Sequence, residues 1–183
     1  MSELLYKNFT KLTLEEKKLV LQWRNSDRVR LCMVNQHIIQ LDEHLQWIES
    51  LKDRIDCRYY IVYLDKTPIG VLNHTNLSPS GENVSGGAYI GDEKFIGYGI
   101  PLFYYGGYDL FENLKIHSSI ACILKSNKRV YKIHKLIFNA KDIKEDDKCY
   151  YVYYDRSSWD KTKRLSDMML TFFNIKNASF VYD

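Results

Sequence analysis

The chain has 183 residues, of which 45% are apolar and 27% charged, with a net charge of +3. This balance excludes a disordered chain, and so mild a charge gives no reason to expect a nucleic-acid partner. The length predicts a single domain over residues 1–183 with its own core. Because the N-terminal segment lacks the apolar stretch of a signal peptide and no run is long enough for a membrane span, we expect a cytoplasmic protein without a membrane partner.

Four cysteines are distributed over the chain without a CxxC pair and without the spacing of metal ligands. In a cytoplasmic protein such cysteines are expected to be reduced thiols, most of them buried. We therefore expect no metal site. The cysteines are Cys32, Cys57, Cys122 and Cys149.

Helix signals dominate the first fifty residues. Thr13 and Glu16 match a capping box, in which a hydroxyl and a carboxylate each bind a free backbone amide at the start of a helix. A helix is predicted from there to about Asn25. A second, short helix is predicted to begin at Ser26 or Asp27. A third is predicted after Asp42, where apolar residues recur at helical spacing.

From residue 57 onwards the pattern changes to short β-branched and aromatic runs. These predict an antiparallel meander followed by alternating strands and helices, which is an α+β fold. The predicted strands are 57–64, 69–77, 86–91, 116–124 and 149–155. The predicted helices are 100–112 and 127–136, with an amphipathic segment at 164–173.

Gly97 and Gly99 lie at a predicted strand-to-helix junction. Residues without Cβ let another group approach the backbone closely, and the first turn of a helix offers unpaired N–H groups and a positive dipole end. The stretch matches neither a Walker loop nor a dinucleotide fingerprint, because position 102 is leucine. Taken alone, the two glycines indicate either an anion site or a tight turn.

The sequence from Lys94 to Gly99 resembles the [Q/R]xxGx[G/A] loop of the GNAT acyl-CoA N-acetyltransferases, with lysine in the polar first place. Downstream, Asn127 to His134 resembles the NxxAxxxY segment of the same superfamily, and a predicted strand and helix lie between the two motifs. The resemblance implies the GNAT fold: a mixed, mostly antiparallel central sheet, helices on both faces and a splayed strand pair that binds acyl-CoA.

The same resemblance implies that acetyl-CoA is the co-substrate and that no metal is needed. In that superfamily the loop amides bind the pyrophosphate, the splayed strand pairs with the pantetheine arm, and the asparagine side chain bonds the cofactor near the thioester. The cofactor-binding residues that it implies are Ala88, Tyr89, Ile90, Lys94, Gly97, Tyr98, Gly99, Ile100 and Asn127.

Two positions depart from the family pattern: His134 stands where the catalytic tyrosine is usual, and Phe138 where a glycine is usual. A histidine could still protonate the departing thiolate, since its ordinary pKa of about 6.5 lies near working pH. It could equally be a partly exposed helix residue. Tyr131, one helical turn earlier, is the second candidate acid. Backbone amides around Ile90 and Gly91 are expected to stabilise the oxyanion, and no carboxylate stands out as a general base.

The Trp-Arg-Asn run that contains Arg24, followed by Met33 and His44, resembles the GNAT branch that acetylates nucleotide-linked amino sugars, including the enzymes of pseudaminic acid biosynthesis. The resemblance covers residues 5–140 and leaves the tail at 156–183 unassigned. It implies that Arg24, Met33, His44 and Thr75 line the pocket of a UDP-linked amino-deoxy sugar. Arginine suits a diphosphate because it can bind it with two N–H groups. Arg24 could instead complement a helix dipole, and Met33 could be core.

Two other functions remain open from the sequence. A GNAT enzyme of this kind could acetylate a protein N-terminus or another small amine, because similar Trp-Arg-Asn segments occur in those branches. The departures at His134 and Phe138 also leave room for a non-catalytic acyl-CoA-binding module. The expected partners are two small molecules, acetyl-CoA and a nucleotide-linked amino sugar, and a homodimer is left open.

Overall fold

The computed structural model describes residues 1–182, which form one eight-stranded sheet with helices on both faces. The strands are β1 Ser2–Asn8, β2 Cys57–Leu64, β3 Thr67–Thr75, β4 Val84–Ile90, β5 Ser118–Leu124, β6 Lys141–Glu145, β7 Cys149–Asp155 and β8 Ile175–Val181. The helices are α1 Leu14–Asn25, α2 Asp27–Arg30, α3 Leu41–Ser50, α4 Gly99–Tyr108, α5 Lys128–Leu136, α6 Arg156–Lys163 and α7 Ser166–Phe173.

The strands lie in the order β6-β7-β5-β4-β3-β2-β1-β8. Strands β1 to β4 form an antiparallel meander, and β7 lies antiparallel between β5 and β6. Strand β4 runs parallel to β5 but pairs with it only at Val84–Ser119 and Ser85–Ile120, so the two strands separate from Gly86 onwards. The sheet therefore has a fork between β4 and β5 that opens towards the carboxyl end of β4.

Two apolar layers hold the helices to the sheet. On one face, Val20 and Trp23 of α1 and Ile48 of α3 pack against Ile61 and Val71 of the meander. The opposite face carries α4 to α7, whose buried side chains pack over the fork and over the meander. Residues of this second layer include Leu72, Leu102, Tyr104, Phe111, Phe138, Trp159 and Met169. The helices α4 to α7 thus cover the fork, whereas α1 and α3 cover the meander on the other face.

Most of the predicted helices and strands occur in the structure, and they are the ones with strong local sequence patterns. The capping box of Thr13 and Glu16 starts α1, which ends at Asn25 as predicted. Helix α3 begins at Leu41, slightly earlier than the predicted cap at Asp42. The predicted helix 100–112 is α4 continued by a π-helical turn, Asp109–Asn113. The α+β class predicted from the sequence is confirmed.

Four elements were not predicted: β1, β6, α6 and β8. Strand β6 is exposed along its whole length and mostly charged, so it lacks the apolar alternation that marks a half-buried strand. Strand β8 pairs in parallel with β1 at the far edge of the sheet, so that α6, α7 and β8 carry the chain across the α4 face. Within the described residues, no helix is long and apolar enough to cross a membrane.

Candidate active site

A cavity lies at the fork on the α4 face of the sheet. Small residues of the two separating strands form one side of it, and aromatic residues of the covering helices form the other. The lining includes Gly86, Gly87, Ser119, Ala121, His74, Phe103, Gly106, Gly107, Phe138, Tyr154 and Trp159. From Gly86 to Ile90 the side of β4 that faces β5 is not paired with another strand. The fork therefore offers an unpaired backbone edge next to an apolar cavity.

The loop after β4 leads this edge to the N-terminus of α4. Residues Glu93–Tyr98 form a 3-10 segment, and the Asp92 side chain accepts a hydrogen bond of 3.0 Å from the Lys94 amide at its start. Helix α4 then begins at Gly99, and its N-cap residue Tyr98 makes no side-chain capping bond within the described chain. The Gly99 amide already donates to the Ile96 carbonyl, and Pro101 in the first turn has no N–H. The start of α4 therefore offers an anion the positive end of the helix dipole and, of its first three residues, no amide other than that of Ile100.

Neither glycine of this loop is needed for the turn itself. Both lie outside the left-handed region of backbone conformation. A Cβ placed on Gly97 would meet no atom within 4 Å, and one on Gly99 would meet only Cγ1 of Ile90, at 3.9 Å. The space over the loop is open, as a bound ligand would require. The tight-turn explanation of the two glycines is thus not needed by the geometry.

The remaining predicted cofactor residues lie around the fork and the loop. Ala88 is exposed on the free edge of β4, and Ile90 is buried at the end of the strand. Asn127 caps α5, where its Oδ1 accepts a hydrogen bond of 3.4 Å from the Val130 amide. The side chain of Lys94 is exposed beside the start of α4.

The end of β4 is fixed by α1 and α2. The amide of Gly91 donates to the Ile69 carbonyl at 2.8 Å, and its carbonyl accepts from Arg28 at 2.6 Å. Trp23 lies directly against Gly91, since a Cβ there would be 2.0 Å from the indole ring. Because the Gly91 amide is already hydrogen bonded, it is not a free oxyanion donor in this conformation. Such a donor is better sought on the unpaired edge of β4.

The two candidate acids lie in different surroundings. His134 is buried, its Nδ1 is hydrogen bonded to the hydroxyl of Tyr154, and its ring lies 4.5 Å from that of Phe103. Burial lowers the pKa of His134 to about 4 and raises the pKa of Tyr154 well above its usual value. Tyr131 instead donates to Asp142 at 3.0 Å on the β6–β7 side. Of these groups, Tyr154 lines the cavity.

The Trp-Arg-Asn run fastens the segment between α2 and α3. Asn25 donates to the Ile39 carbonyl at 2.8 Å and accepts from the Ile39 amide at 3.0 Å. Arg24 donates through Nη2 to the Asn35 carbonyl at 2.6 Å, whereas its buried Nη1 has no partner among residues 1–182. Met33 is half-buried on the same segment. Arg24 therefore binds the segment that carries Met33 and keeps one guanidinium nitrogen unused.

His44 and Thr75 are placed differently. His44 is 2% exposed, and its Nε2 lies 3.0 Å from the Lys17 carbonyl, so its ring bridges α3 and α1. Burial lowers the pKa of His44, which keeps the ring neutral and makes Nε2–H the donor. Thr75 is half-buried at the end of β3, opposite Ser85, where β4 and β5 still pair. In the structure His44 thus connects two helices, and Thr75 lies at the closed end of the fork.

A buried histidine–aspartate contact next to the cavity was not predicted from the sequence. His74 on β3 and Asp109 on the π-helical turn are almost fully buried, with Nε2 and Oδ2 3.3 Å apart. Asp109 follows a Gly-Gly-Tyr stretch that reads as an ordinary helix, so only the sheet topology brings the two residues together. No group of three or more His, Cys, Asp or Glu side chains suited to a metal occurs in the described part of the chain.

A fork between two parallel strands, with a helix N-terminus at the end of the first strand, is the arrangement that the GNAT resemblance implied. An acetyltransferase PseH of Campylobacter jejuni is 32% identical over 146 residues, spanning 79% of this chain and 88% of the relative. The chain belongs to the PseH family of N-acetyltransferases, within the GNAT superfamily.

Solved structures agree with this assignment. The crystal structure of Campylobacter jejuni N-acetyltransferase PseH in complex with acetyl coenzyme A has a TM-score of 0.69 and is 26% identical, covering 84% of this chain and 99% of its own. FdhC, a nucleotide-linked sugar GNAT, has a TM-score of 0.71 at 21% identity, covers 85% of this chain and 90% of its own, and supports the fold alone. No family model matches the chain.

Proposed function

We propose that this N-acetyltransferase transfers the acetyl group of acetyl-CoA to the amino group of a UDP-linked amino-deoxy sugar, as a cytoplasmic enzyme of nonulosonic acid biosynthesis. The observation that carries the proposal is the free edge of β4, which leads through the 3-10 segment Glu93–Tyr98 to the N-terminus of α4, where no side chain caps the helix. This is a site for an extended amide-containing chain that ends in a diphosphate, which is the form of coenzyme A.

For the cofactor, the pyrophosphate lies over Gly97 and Gly99 at the positive end of α4, with Lys94 adding a positive charge. The pantetheine amides pair with the edge of β4 around Ala88, and the acetyl group points towards the closed end of the fork. The acetyl-CoA complex of a PseH enzyme at 26% identity supports this cofactor.

For the sugar nucleotide, the segment between α2 and α3 supplies the pocket. Arg24 holds this segment through Nη2 and has Nη1 left for a phosphate oxygen, and burial lowers the pKa of this guanidinium without discharging it. Met33 on the same segment can pack against a flat base.

In the transfer itself, the deprotonated sugar amine attacks the thioester carbonyl, the C–N bond forms and the C–S bond breaks. Positioning of the two substrates in the fork contributes most of the acceleration. The thiolate takes its proton at the part of the cavity wall formed by Tyr154, whose hydroxyl is hydrogen bonded to His134. Since His134 is neutral near pH 7, the transferable proton is on the Tyr154 hydroxyl, and His134 orients that hydroxyl.

The substrate proposal is tested by incubating the protein and acetyl-CoA with a panel of UDP-amino sugars, spermidine and peptides with free N-termini. Mass spectrometry should show one added acetyl group on a UDP-amino sugar and none on the other amines. Acetylation of a peptide or polyamine alone would favour the alternative within the fold. Binding of acetyl-CoA without any transfer would favour a non-catalytic module.

A further inference from the structure

A histidine and an aspartate meet beneath the fork, away from the predicted substrate residues. His74 is 1% exposed and Asp109 is 0% exposed, and Nε2 of the imidazole lies 3.3 Å from Oδ2 of the carboxylate. Charged groups are rarely buried to this extent, because desolvation is costly. A pair that served stability alone could be replaced by apolar side chains of similar volume with little loss.

The hydrogen bonds around the pair are unevenly distributed. Oδ1 of Asp109 accepts from Asn113 at 2.9 Å and from the hydroxyl of Tyr182. By contrast, Nδ1 of His74 has no partner within residues 1–182, and the contact between Nε2 and Oδ2 is not aligned as a hydrogen bond. The carboxylate is therefore held from one side, and the imidazole keeps a buried nitrogen that calls for a partner.

The cavity at the fork provides the place for that partner. His74 lines the cavity and is in register with Gly86, the residue at which β4 leaves β5. A Cβ on Gly86 would have only Oγ of Ser119 within 4 Å, at 4.0 Å. Gly86 thus leaves open space beside the imidazole at the closed end of the fork, towards which the acetyl group is proposed to point.

We propose that His74 takes the proton from the substrate amine and that Asp109 is its positioning residue; this inference rests on the proposed function. Nδ1 accepts one proton from the ammonium group, and the free amine attacks the thioester carbon. As the C–N bond forms and the C–S bond breaks, the thiolate takes the Tyr154 proton and the nitrogen releases its second proton to water. Tyr154 regains a proton from water, and His74 releases the proton that it took to water, so that one proton is set free overall.

The charges around His74 favour this role. Burial would raise the pKa of Asp109, but the adjacent imidazole of His74 and the hydrogen bonds from Tyr182 and Asn113 outweigh it and hold that pKa below its ordinary value. Asp109 is therefore ionised at neutral pH and stabilises a protonated imidazole beside it. The other titratable or charged groups that face the pair or share its cavity are Tyr6, Arg58, Tyr60, Tyr104, Tyr154 and Tyr182.

A first test asks whether His74 senses the cofactor, and it needs no acceptor. The ring resonances of the five histidines are assigned in the wild-type protein by through-bond NMR and recorded with and without acetyl-CoA. The His74 signals should shift on saturation, whereas those of the exposed His117 should not. If acetyl-CoA binds and the His74 signals stay in place, the proposal is overturned, whichever amine proves to be the substrate.

A second test measures kcat against pH for His74→Gln and Asp109→Asn, with an amine that the wild type acetylates. We expect a loss of roughly 10²-fold near pH 7 that shrinks as the pH approaches the pKa of the amine, which then deprotonates unaided. A structural defect would instead lower kcat by the same factor at every pH, and that result would overturn the proposal. Tyr182→Phe, a milder change, should give a smaller loss with the same pH trend, and His117→Gln should leave the profile unchanged.

The two tests separate this proposal from the proposed substrate. If no UDP-amino sugar is acetylated but another amine is, the substrate proposal fails and the pH profile is measured with that amine. If no amine is acetylated at all, the NMR result alone decides whether His74 belongs to the acyl site.

Discussion

At the scale of single residues, the contact between His134 and Tyr154 bears most directly on the proposed protonation of the thiolate. The pair lies between α5 and β7, and Tyr154 faces the cavity at the fork. Burial keeps the imidazole neutral near pH 7. The residue that replaces the usual tyrosine of the family is therefore not itself a proton donor in this state, but it holds a tyrosine from another element.

If this contact supplies the proton for the thiolate, Tyr154→Phe should lower kcat by roughly 10²-fold with little change in either KM. His134→Phe should have a similar effect, because it leaves the phenol without its partner. His134→Tyr should recover part of the rate by restoring the usual donor of the family. Tyr131→Phe is the matched control on α5, and a large loss there with an active Tyr154→Phe would show that the acid lies one turn earlier.

His134 should also make stability depend on pH. Its pKa is about 4 in the folded protein and about 6.5 in an unfolded chain, so only the unfolded state gains a proton between these values. Stability contributed by the neutral ring is thus complete above about pH 6.5 and is lost as the pH falls towards 4, by about 2 to 3 kcal/mol.

This dependence is measured by urea unfolding of the wild type and of His134→Phe at several pH values from about 7.5 to about 4, a range that includes both pKa values. The variant should lose less stability over the range, because one proton fewer binds on unfolding. The exposed His117→Gln should follow the wild type. Parallel curves for wild type and His134→Phe would show that His134 is not protonated on unfolding in this range.

At the scale of elements, a substitution in the loop before α4 should weaken acetyl-CoA binding without lowering the stability of the fold. Gly99→Val should raise the Kd for acetyl-CoA at least about tenfold, or about 1.4 kcal/mol, because a branched side chain enters the open space over the helix N-terminus. The free energy of unfolding should hardly change, since the only neighbour of a Cβ there is at 3.9 Å.

Gly70→Ala is the matched control for this loop. Its Cβ would lie 2.4 Å from the Tyr89 carbonyl oxygen, so the backbone of β4 would have to move. We expect a loss of stability of about 1 to 3 kcal/mol, seen by chemical unfolding. Calorimetry then distinguishes the two glycines, and an unchanged acetyl-CoA affinity in Gly99→Val would mean that the pyrophosphate binds elsewhere.

The segment between α2 and α3 should report on the sugar nucleotide. Arg24→Lys keeps the charge but loses the planar fork, so the KM for a UDP-sugar should rise about tenfold while the KM for acetyl-CoA stays unchanged. Arg54→Lys, at an exposed ion pair with Asp56, should change neither. An equal rise in both KM values for Arg24→Lys would show a general distortion rather than a lost phosphate contact.

His44→Ala distinguishes the two interpretations of that histidine. Its predicted role in the sugar pocket would raise the KM for the UDP-sugar alone. Its contact with the Lys17 carbonyl predicts instead a loss of stability of about 1 to 3 kcal/mol, measured by thermal unfolding, because the buried imidazole no longer connects α3 to α1.

At the scale of the whole molecule, the C-terminal segment is part of the folded core. Phe180 of β8 stacks on Tyr6 of β1 with ring centres 4.3 Å apart and contacts Tyr60 of β2 at 5.6 Å. Phe180→Ala should therefore lower stability by about 2 to 4 kcal/mol. Phe172→Ala, in the same segment but 79% exposed, should change it by less than about 0.5 kcal/mol. Equal melting temperatures for the two variants would contradict this role of β8.

Elements that depend on neighbouring residues could be predicted from the sequence, whereas elements that depend on residues far apart in the chain could not. The capping box at Thr13, the strands of the meander and the loop around Gly97 and Gly99 are encoded by neighbouring residues, and they lie where the pattern predicted. Strand β8 exists because β1 offers it an edge, and no local pattern in the tail indicates that pairing.

The same holds for the site. Asn127 and the glycine loop could be found by motif, since each motif is contiguous in sequence. The contacts of His74 with Asp109 and of His134 with Tyr154 join different elements, and only the packing of α4, α5 and β7 over the sheet creates them. A motif also cannot tell whether His44 points into a pocket or, as here, hydrogen bonds α1.

The parallel pairing of β1 with β8 joins the first and last strands of the described chain. During synthesis β1 leaves the ribosome early and has β2 on one side, but its other edge stays bare until the tail emerges. Pairing of segments so far apart in sequence is slow, because a large loop must close before any contact is gained. We therefore expect β8 to dock last, as the final and rate-limiting event of folding, and an unpaired β1 edge to be the point at which nascent chains associate.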